Sequence, residues 1–560
     1  METGTETTIG TSMETNIETN IETNIETNID SITDIRQIGM NQNASQMNFT
    51  RYTKYTEMVN HFFPFGIGCL LYGILFTISL YKGFHGITMP ILAVVTSVGI
   101  IGVIKKFGLT IKKQSIFYIL GIVLLGISSC LTGDEYLIFF NICGMFLLLF
   151  SWLLSAFCDT SKWGFPKYLK ELINAIFVPI GYLNGFMKSL INYFSGKEET
   201  EKSSKTKYVW LGILLGIPFV MVVTALLVSA DAVFGNMFKN VFENIRLPEN
   251  PVWLFFLLVC GIFGSFAVLG YFADEKIKEE TKKERNWEPL LAITFLSLST
   301  VIYLVFSVVQ ILYLFIGGFQ LPDGYTYATY AHEGFYQLLA VCLINLIVLF
   351  VCIGKFRDNL ILKIILTIFS ACTYIMLSSS VFRMILYIQV YQMTYLRLMT
   401  LWGLLVIGIV LFGCVITIWK NSFCLFQYAM IVVTVLYISL SLARPGFLIA
   451  KYNLADKKAD VDIHYLLNLG TDAIPTYLES AQFEKEYLEA KEEYDAYLKA
   501  NGKIYNDHKI DQDGTYLARP WIYEKMRKYQ EINTEMGILD FNFSYYKAGK
   551  KIQEKLGLIL

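Results

Sequence analysis

Apolar residues run in blocks along most of this chain, broken by short polar stretches, and each block has the roughly 20 residues that an α-helix needs to cross a bilayer's hydrocarbon core. About eleven blocks of that length are read, at residues 62–81, 86–104, 114–133, 136–158, 208–230, 252–273, 290–316, 335–354, 360–386, 396–419 and 423–443. Lys105-Lys106, Gly133-Asp134-Glu135 and the stretch from Asp274 to Glu288 are among the separators. The pattern predicts an all-α fold, a polytopic transmembrane helix bundle with a soluble helical C-terminal tail. It divides the chain into a polar amino-terminal segment (1–50), four spans (51–158), a loop (159–207), a seven-span core (208–443) and the tail (444–560).

Orientation follows from Lys and Arg, which short cytoplasmic loops retain. Lys105, Lys106, Lys112 and Lys113 mark one loop, Lys162 to Lys207 a second and Lys276 to Arg285 a third, with Lys355, Arg357 and Lys420 continuing the alternation. The intervening loops are poor in positive charge. An odd number of spans then puts the amino terminus in the cytoplasm and the tail outside. The apolar stretch Leu172 to Met187 carries Asn174, Asn184 and Pro179. It reads as part of an amphipathic helix pair on the membrane surface over 166–194, as a plain connector, or as a twelfth crossing.

In the tail, charge rises and helix signals return. Asp462 suits an N-cap, Gly470 a helix stop, and Thr471 or Asp472 with Pro475 a new start. Phe483, Tyr487, Ala490, Tyr494 and Tyr497 would share one helix face, with further helices around Trp521–Lys528 and Tyr545–Lys555. At the other end of the chain, Glu14 to Ile29 repeats Glu-Thr-Asn-Ile, a composition that favours disorder.

Composition changes the picture only in what it excludes. With 54% hydrophobic and 17% charged residues, the body is too apolar for a water-soluble surface, so the lipid bilayer is its first partner. A net charge of −1 gives no support for a nucleic-acid partner. The ten cysteines, all between Cys69 and Cys424, read as small core residues. No phosphate-binding loop or His-Glu-x-x-His motif occurs, and His61, His85, His332, His464 and His508 are scattered, so no cofactor or metal is expected. Asp507, Asp511 and Asp513 lack the spacing of a calcium loop.

Ionisable residues at apolar spans are costly and therefore informative. Asp231, His332, Glu333, Arg383, Arg397 and Arg444 all fall at the outer ends of their spans, level with Tyr325, Tyr327, Tyr330, Tyr336, Tyr387, Tyr391 and Tyr395. The six form a candidate outer vestibule, in which Asp231 and Glu333 would pair with two of the arginines. Structural clamps, headgroup anchors and a solute-binding site are the open readings. Gly212 and Gly216 have the spacing of a close helix contact, and Pro218 that of a kink.

Several segments resemble one bacterial family. They are Ser229-Ala-Asp-Ala-Val-Phe234, His332-Glu-Gly-Phe-Tyr336, Tyr395-Leu-Arg397, Ala450-Lys-Tyr-Asn-Leu454 and Tyr465-Leu-Leu-Asn-Leu-Gly-Thr-Asp-Ala-Ile-Pro475. Over residues 208–480 the chain is similar to multi-pass membrane proteins grouped as a domain of unknown function. The resemblance implies a bacterial cytoplasmic-membrane protein and carries over no activity, substrate or cofactor. The function expected is a non-enzymatic envelope component or sensor that binds another envelope protein through the vestibule and tail. The alternative is a secondary transporter or channel for a small solute that uses the charged span ends.

Overall fold

The computed structural model describes residues 54–81, 83, 85–160, 163–195, 216, 220, 223, 227, 251–274, 285–312, 327–455, 461–485 and 518–556. Four helices come first, α1 (Phe62–Leu80), α2 (Thr88–Lys106), α3 (Ser115–Leu131) and α4 (Glu135–Phe157). Two shorter ones follow, α5 (Phe165–Phe177) and α6 (Leu183–Ser195), joined by a 3-10 turn at Val178–Tyr182. Six long helices come next: α7 (Pro251–Ala273), α8 (Pro289–Gln310), α9 (Tyr327–Lys355), α10 (Leu360–Tyr391), α11 (Tyr395–Trp419) and α12 (Leu425–Ala443).

Among the described residues, nine helices are long and apolar enough to cross a membrane: α1, α2, α4 and α7 to α12. The all-α bundle expected from the apolar blocks is the architecture found. Helix α3 is equally apolar but has 17 residues. The expected span at 208–230 lies outside the described residues, except that Gly216, Val220, Val223 and Leu227 are helical. No described atom comes within 4 Å of a Cβ built on Gly216, and Gly212 lies outside the described residues. The 13 residues of α5 and the 13 of α6 each reach about 20 Å, too short for a crossing alone. On α5, Phe165, Leu169, Ile173 and Phe177 are exposed, whereas Tyr168, Leu172 and Ala175 are buried.

Two compact units emerge. The smaller comprises Met1–Ile67, Pro179–Leu215 and Phe266–Lys276. Phe62, Phe186 and Phe266 pack there with ring centroids 5.3 to 6.1 Å apart, and the Tyr182 hydroxyl donates to the Asp274 carboxylate at 2.5 Å.

The larger unit comprises Gly68–Val178, Gly216–Ser265 and Ile277–Leu560. Its helices α8 to α11 share a core built on Leu296, Leu349, Phe369, Leu411 and Cys414, while α3 packs against α2, α4 and α12. The described residues of its basic loops gather at one end. Lys112 donates to the carbonyls of Ser155 and Cys158, and Tyr168 lies 4.8 Å from Phe426 at the start of α12. Asp358, between α9 and α10, binds Lys363 and accepts from Asn421, whose own amide oxygen accepts from Arg285. This is the basic end of the bundle.

The tail builds onto the opposite end. It forms α13 (Pro445–Asn453), α14 (Ile463–Asn468), α15 (Ile474–Leu478), α16 (Ala518–Glu535) and α17 (Phe543–Leu556). Asp462 caps α14 by accepting from the Tyr465 amide at 2.9 Å, and Gly470 ends the segment at φ +86°. Leu467, Ile474, Tyr477, Phe483, Met526, Ala548 and Ile552 make the tail's own apolar core. Tyr487, Ala490, Tyr494 and Tyr497 lie outside the described residues.

Candidate functional site

The turn Thr132-Gly133-Asp134 joins α3 to α4 at the end of the bundle that carries the tail. Asp134 caps α4 there, accepting from the amides of Tyr136 at 3.0 Å and Leu137 at 3.2 Å. Against this turn the tail sets Asp472, whose side chain is fully buried. The residue does not start α15, which has Ala473 at its cap position and no side-chain cap. Its carboxylate instead accepts from the Thr132 hydroxyl and, at 2.6 Å, from the Ser544 hydroxyl. The Arg444 guanidinium stands 3.9 Å away and also lies over the Phe447 ring, 5.1 Å from its centre.

Burial pushes the Asp472 carboxyl above its ordinary range, an effect opposed by the Ser544 and Thr132 hydrogen bonds and by Arg444. Asp134 is raised too, first by burial, with the nearby Asp472 charge adding to it. A carboxylate without solvent needs every available donor. The latch supplies them from three distant parts of the chain.

Asn542 completes the latch. It caps α17 by accepting from the amides of Ser544 at 2.9 Å and Tyr545 at 3.3 Å. Its amide nitrogen donates to the carbonyls of His85 at 2.7 Å, Ser129 at 3.3 Å and Thr132 at 2.8 Å. Two of these carbonyls belong to the end of α3, where the helix leaves carbonyls without partners. Contact at the turn is close: a Cβ built on Gly133 would fall 1.8 Å from the Thr471 hydroxyl oxygen. A side chain at 133 would therefore force the buried Thr471 hydroxyl, which is bonded to Ser544, from its place against the turn.

A second contact extends the joint. The Tyr395 amide donates to the Tyr465 hydroxyl at 2.6 Å, and Asn453 exchanges two hydrogen bonds with the backbone of Met393, at 2.8 and 2.9 Å. Three segments separated in sequence thus meet: Tyr395-Leu-Arg397, Ala450 to Leu454 and Tyr465 to Pro475.

The six residues singled out by charge are distributed differently. Arg444 belongs to the latch, with Asp472 as its acid. Arg397 donates to the carbonyls of Tyr391 and Gln392 and lies over the Tyr387 ring at 4.3 Å, fastening the α10–α11 turn. Arg383 packs against the backbone of α9 at Gly334, where a built Cβ would lie 2.1 Å from its guanidinium. Asp231 lies outside the described residues, as do the side chains of His332 and Glu333, whose backbone lies in the first two turns of α9.

Sequence reading missed Thr132, Ser544 and Asn542. An Asn two residues before Ser544 at the head of a helix is a legible capping signal. Nothing in the sequence says that its nitrogen turns to α3.

Below the latch, the Asn141 side-chain oxygen accepts from Tyr437 at 3.0 Å and Ser441 at 2.7 Å, and Ser441 also bonds Ser128 at 2.6 Å. A separate polar line crosses α8, α9 and α10. Asn345 accepts from Tyr303 and donates to Thr373, both at 3.0 Å, and Ser379 donates to Gln310 at 2.7 Å.

The fold and this joint define a class, a multi-pass helical membrane protein whose carboxy-terminal tail is built into one end of its bundle. The chain belongs to the family described as "Domain of unknown function (DUF4153)", whose model matches residues 119–480. No curated protein and no solved structure matches it. The family region starts within α3, well before residue 208, where the motif resemblance begins. It contains the Thr132–Asp134 turn, Arg444 and Asp472, while Ser544 and Asn542 lie beyond it.

Proposed function

We propose that this protein is a non-enzymatic component or sensor of a bacterial envelope, engaging a partner through its tail and the bundle end beneath it. The observation that carries the reading is the latch. Asp472 and Asn542 tie the tail to the end of α3 and to the α1–α2 turn, so a load on the tail reaches the bundle through buried hydrogen bonds. A tail serving only as a tether would not need such a joint. The positive-inside rule places the basic end in the cytoplasm and the tail outside. Tyr168 at the basic end and Leu257 packed near Leu80 and Met89, at the tail's end, support an odd number of crossings between them, hence the count of eleven.

Site-specific photocrosslinking from Tyr452, an exposed position on α13, tests the reading in intact cells. A discrete protein adduct that disappears when Asp472→Ala releases the tail is expected. Adducts to lipid alone, or adducts unchanged by that release, would refute it. A membrane-impermeant cysteine reagent reads the side of the tail.

A second reading, passage of a small solute, has one observation in its favour: the polar line of Gln310, Tyr303, Asn345, Thr373 and Ser379 through α8 to α10. Its expected signature is solute flux in proteoliposomes that falls with Asn345→Leu.

A further inference from the structure

The loop between α16 and α17 carries Gly537-Ile538-Leu539-Asp540, and its two aliphatic residues face out of the molecule. Ile538 is 87% exposed and Leu539 49%. Turns that face water favour small or polar residues, so consecutive exposed aliphatics at a loop tip ask for an apolar environment.

Placement supplies that environment. The loop is seated on the turn between α1 and α2, where a Cβ built on Gly86 would meet the Leu539 carbonyl oxygen at 2.5 Å. Next to it, the Cys130 thiol in the last turn of α3 donates to the Phe541 carbonyl at 3.5 Å. Leu539 lines one cleft with Ile78, which is half-exposed in the last turn of the spanning helix α1. Phe543 and Tyr546, at the head of α17, are exposed beside the loop. The apolar tip therefore continues the lipid-facing surface of the bundle at the level where the spans end, bordered by aromatics as an interfacial segment is.

We infer that Ile538 and Leu539 form a hook that inserts into the bilayer leaflet at the latch end, giving the tail a lipid anchor in addition to its protein contacts. The occupant is the acyl region just beneath the headgroups of the membrane the chain spans. The hook holds for either orientation of the protein and is independent of the function proposed above.

The test uses the full chain in phosphatidylcholine vesicles with an environment-sensitive fluorescent amino acid at position 538, and the same probe at Glu531 on the exposed side of α16 as reference. At 538, nitroxide lipids labelled high on the acyl chain should quench strongly, and aqueous iodide should quench several-fold less than at 531. Iodide quenching equal to that at 531, with no effect of the nitroxide lipid, overturns the hook. Protection from both quenchers, with a crosslink to a second copy of the chain, overturns it in favour of a protein contact. Ile538→Asp provides a second measurement that leaves buried packing alone. It should speed protease release of the tail in vesicles several-fold and leave the rate in detergent unchanged, and the same fold-change in the two media also refutes the hook.

Discussion

The two ends of the larger unit each centre on an aspartate, and the two aspartates are opposites. At the basic end, Asp358 is half in solvent, and its bond to Lys363, the largest cause, lowers its carboxyl below the usual range. At the latch end, Asp472 is sealed from solvent and raised by burial. An exposed pair of the first kind contributes about 0 to 1 kcal/mol. A buried acid of the second kind gains little by being charged, and removing it strands its donors. The basic end is thus held by a cheap, solvent-exposed pair, whereas the latch end fixes geometry.

The largest effect is expected from Asp472→Ala and Asn542→Ala. Each leaves several buried polar groups without partners, at a cost of about 3 kcal/mol. Because 1.4 kcal/mol is tenfold, protease cleavage of the tail through local opening should accelerate about 100-fold in either variant. An acceleration of only a few-fold would show that the tail is held mainly by its apolar contacts. Gly133→Ala comes next. Its methyl group meets Thr471, and overpacking of this kind costs roughly 1–3 kcal/mol. Gly133→Ala combined with Thr471→Ser should stay impaired, because the oxygen that clashes remains.

Acidity should separate the ends by sign. Asp472 keeps its proton in the folded protein at pH values where the unfolded chain, with an ordinary value near 3.8, has lost it. Its contribution to stability therefore falls as pH rises from that value through the raised one. Asp134 adds in the same direction. Asp358 behaves inversely: its contribution is complete above the ordinary value and is lost as pH falls through the lowered one. Hydrogen exchange followed through mild acidification should show slower opening at Asn542 and Ser544, with Asp472→Asn flattening the trend. Matching trends at the two ends would remove the distinction. Asp358→Asn should have the smallest effect, under about 1 kcal/mol in thermal unfolding.

The spans were legible because lipid imposes a length and a polarity on each helix independently of its neighbours. Asp462 and Gly470 were legible as well, since a cap or a stop depends only on adjacent residues. The joint was not. Asp472 reads locally as a helix start, and only the approach of α3 and α17 gives its carboxylate other donors. Charge drew attention to Arg383, Arg397 and Arg444, but not to neutral Thr132, Ser544 and Asn542, because hydroxyls and amides are common and their partners across the joint lie 72 to 457 residues away. Sequence carries the cost of a buried charge more openly than the identity of the groups that offset it.

The bond from Asn542 to the carbonyl of Thr132 joins residues 410 positions apart. At the usual 5–20 residues per second of synthesis, the α3–α4 turn waits roughly 20 to 80 seconds for its partner. Until then Gly133 has no cover and the end of α3 keeps open carbonyls. Closure of this bond therefore reports that synthesis has passed residue 542, beyond all the described spanning helices, and a ribosome that stops short of it leaves that record unsigned.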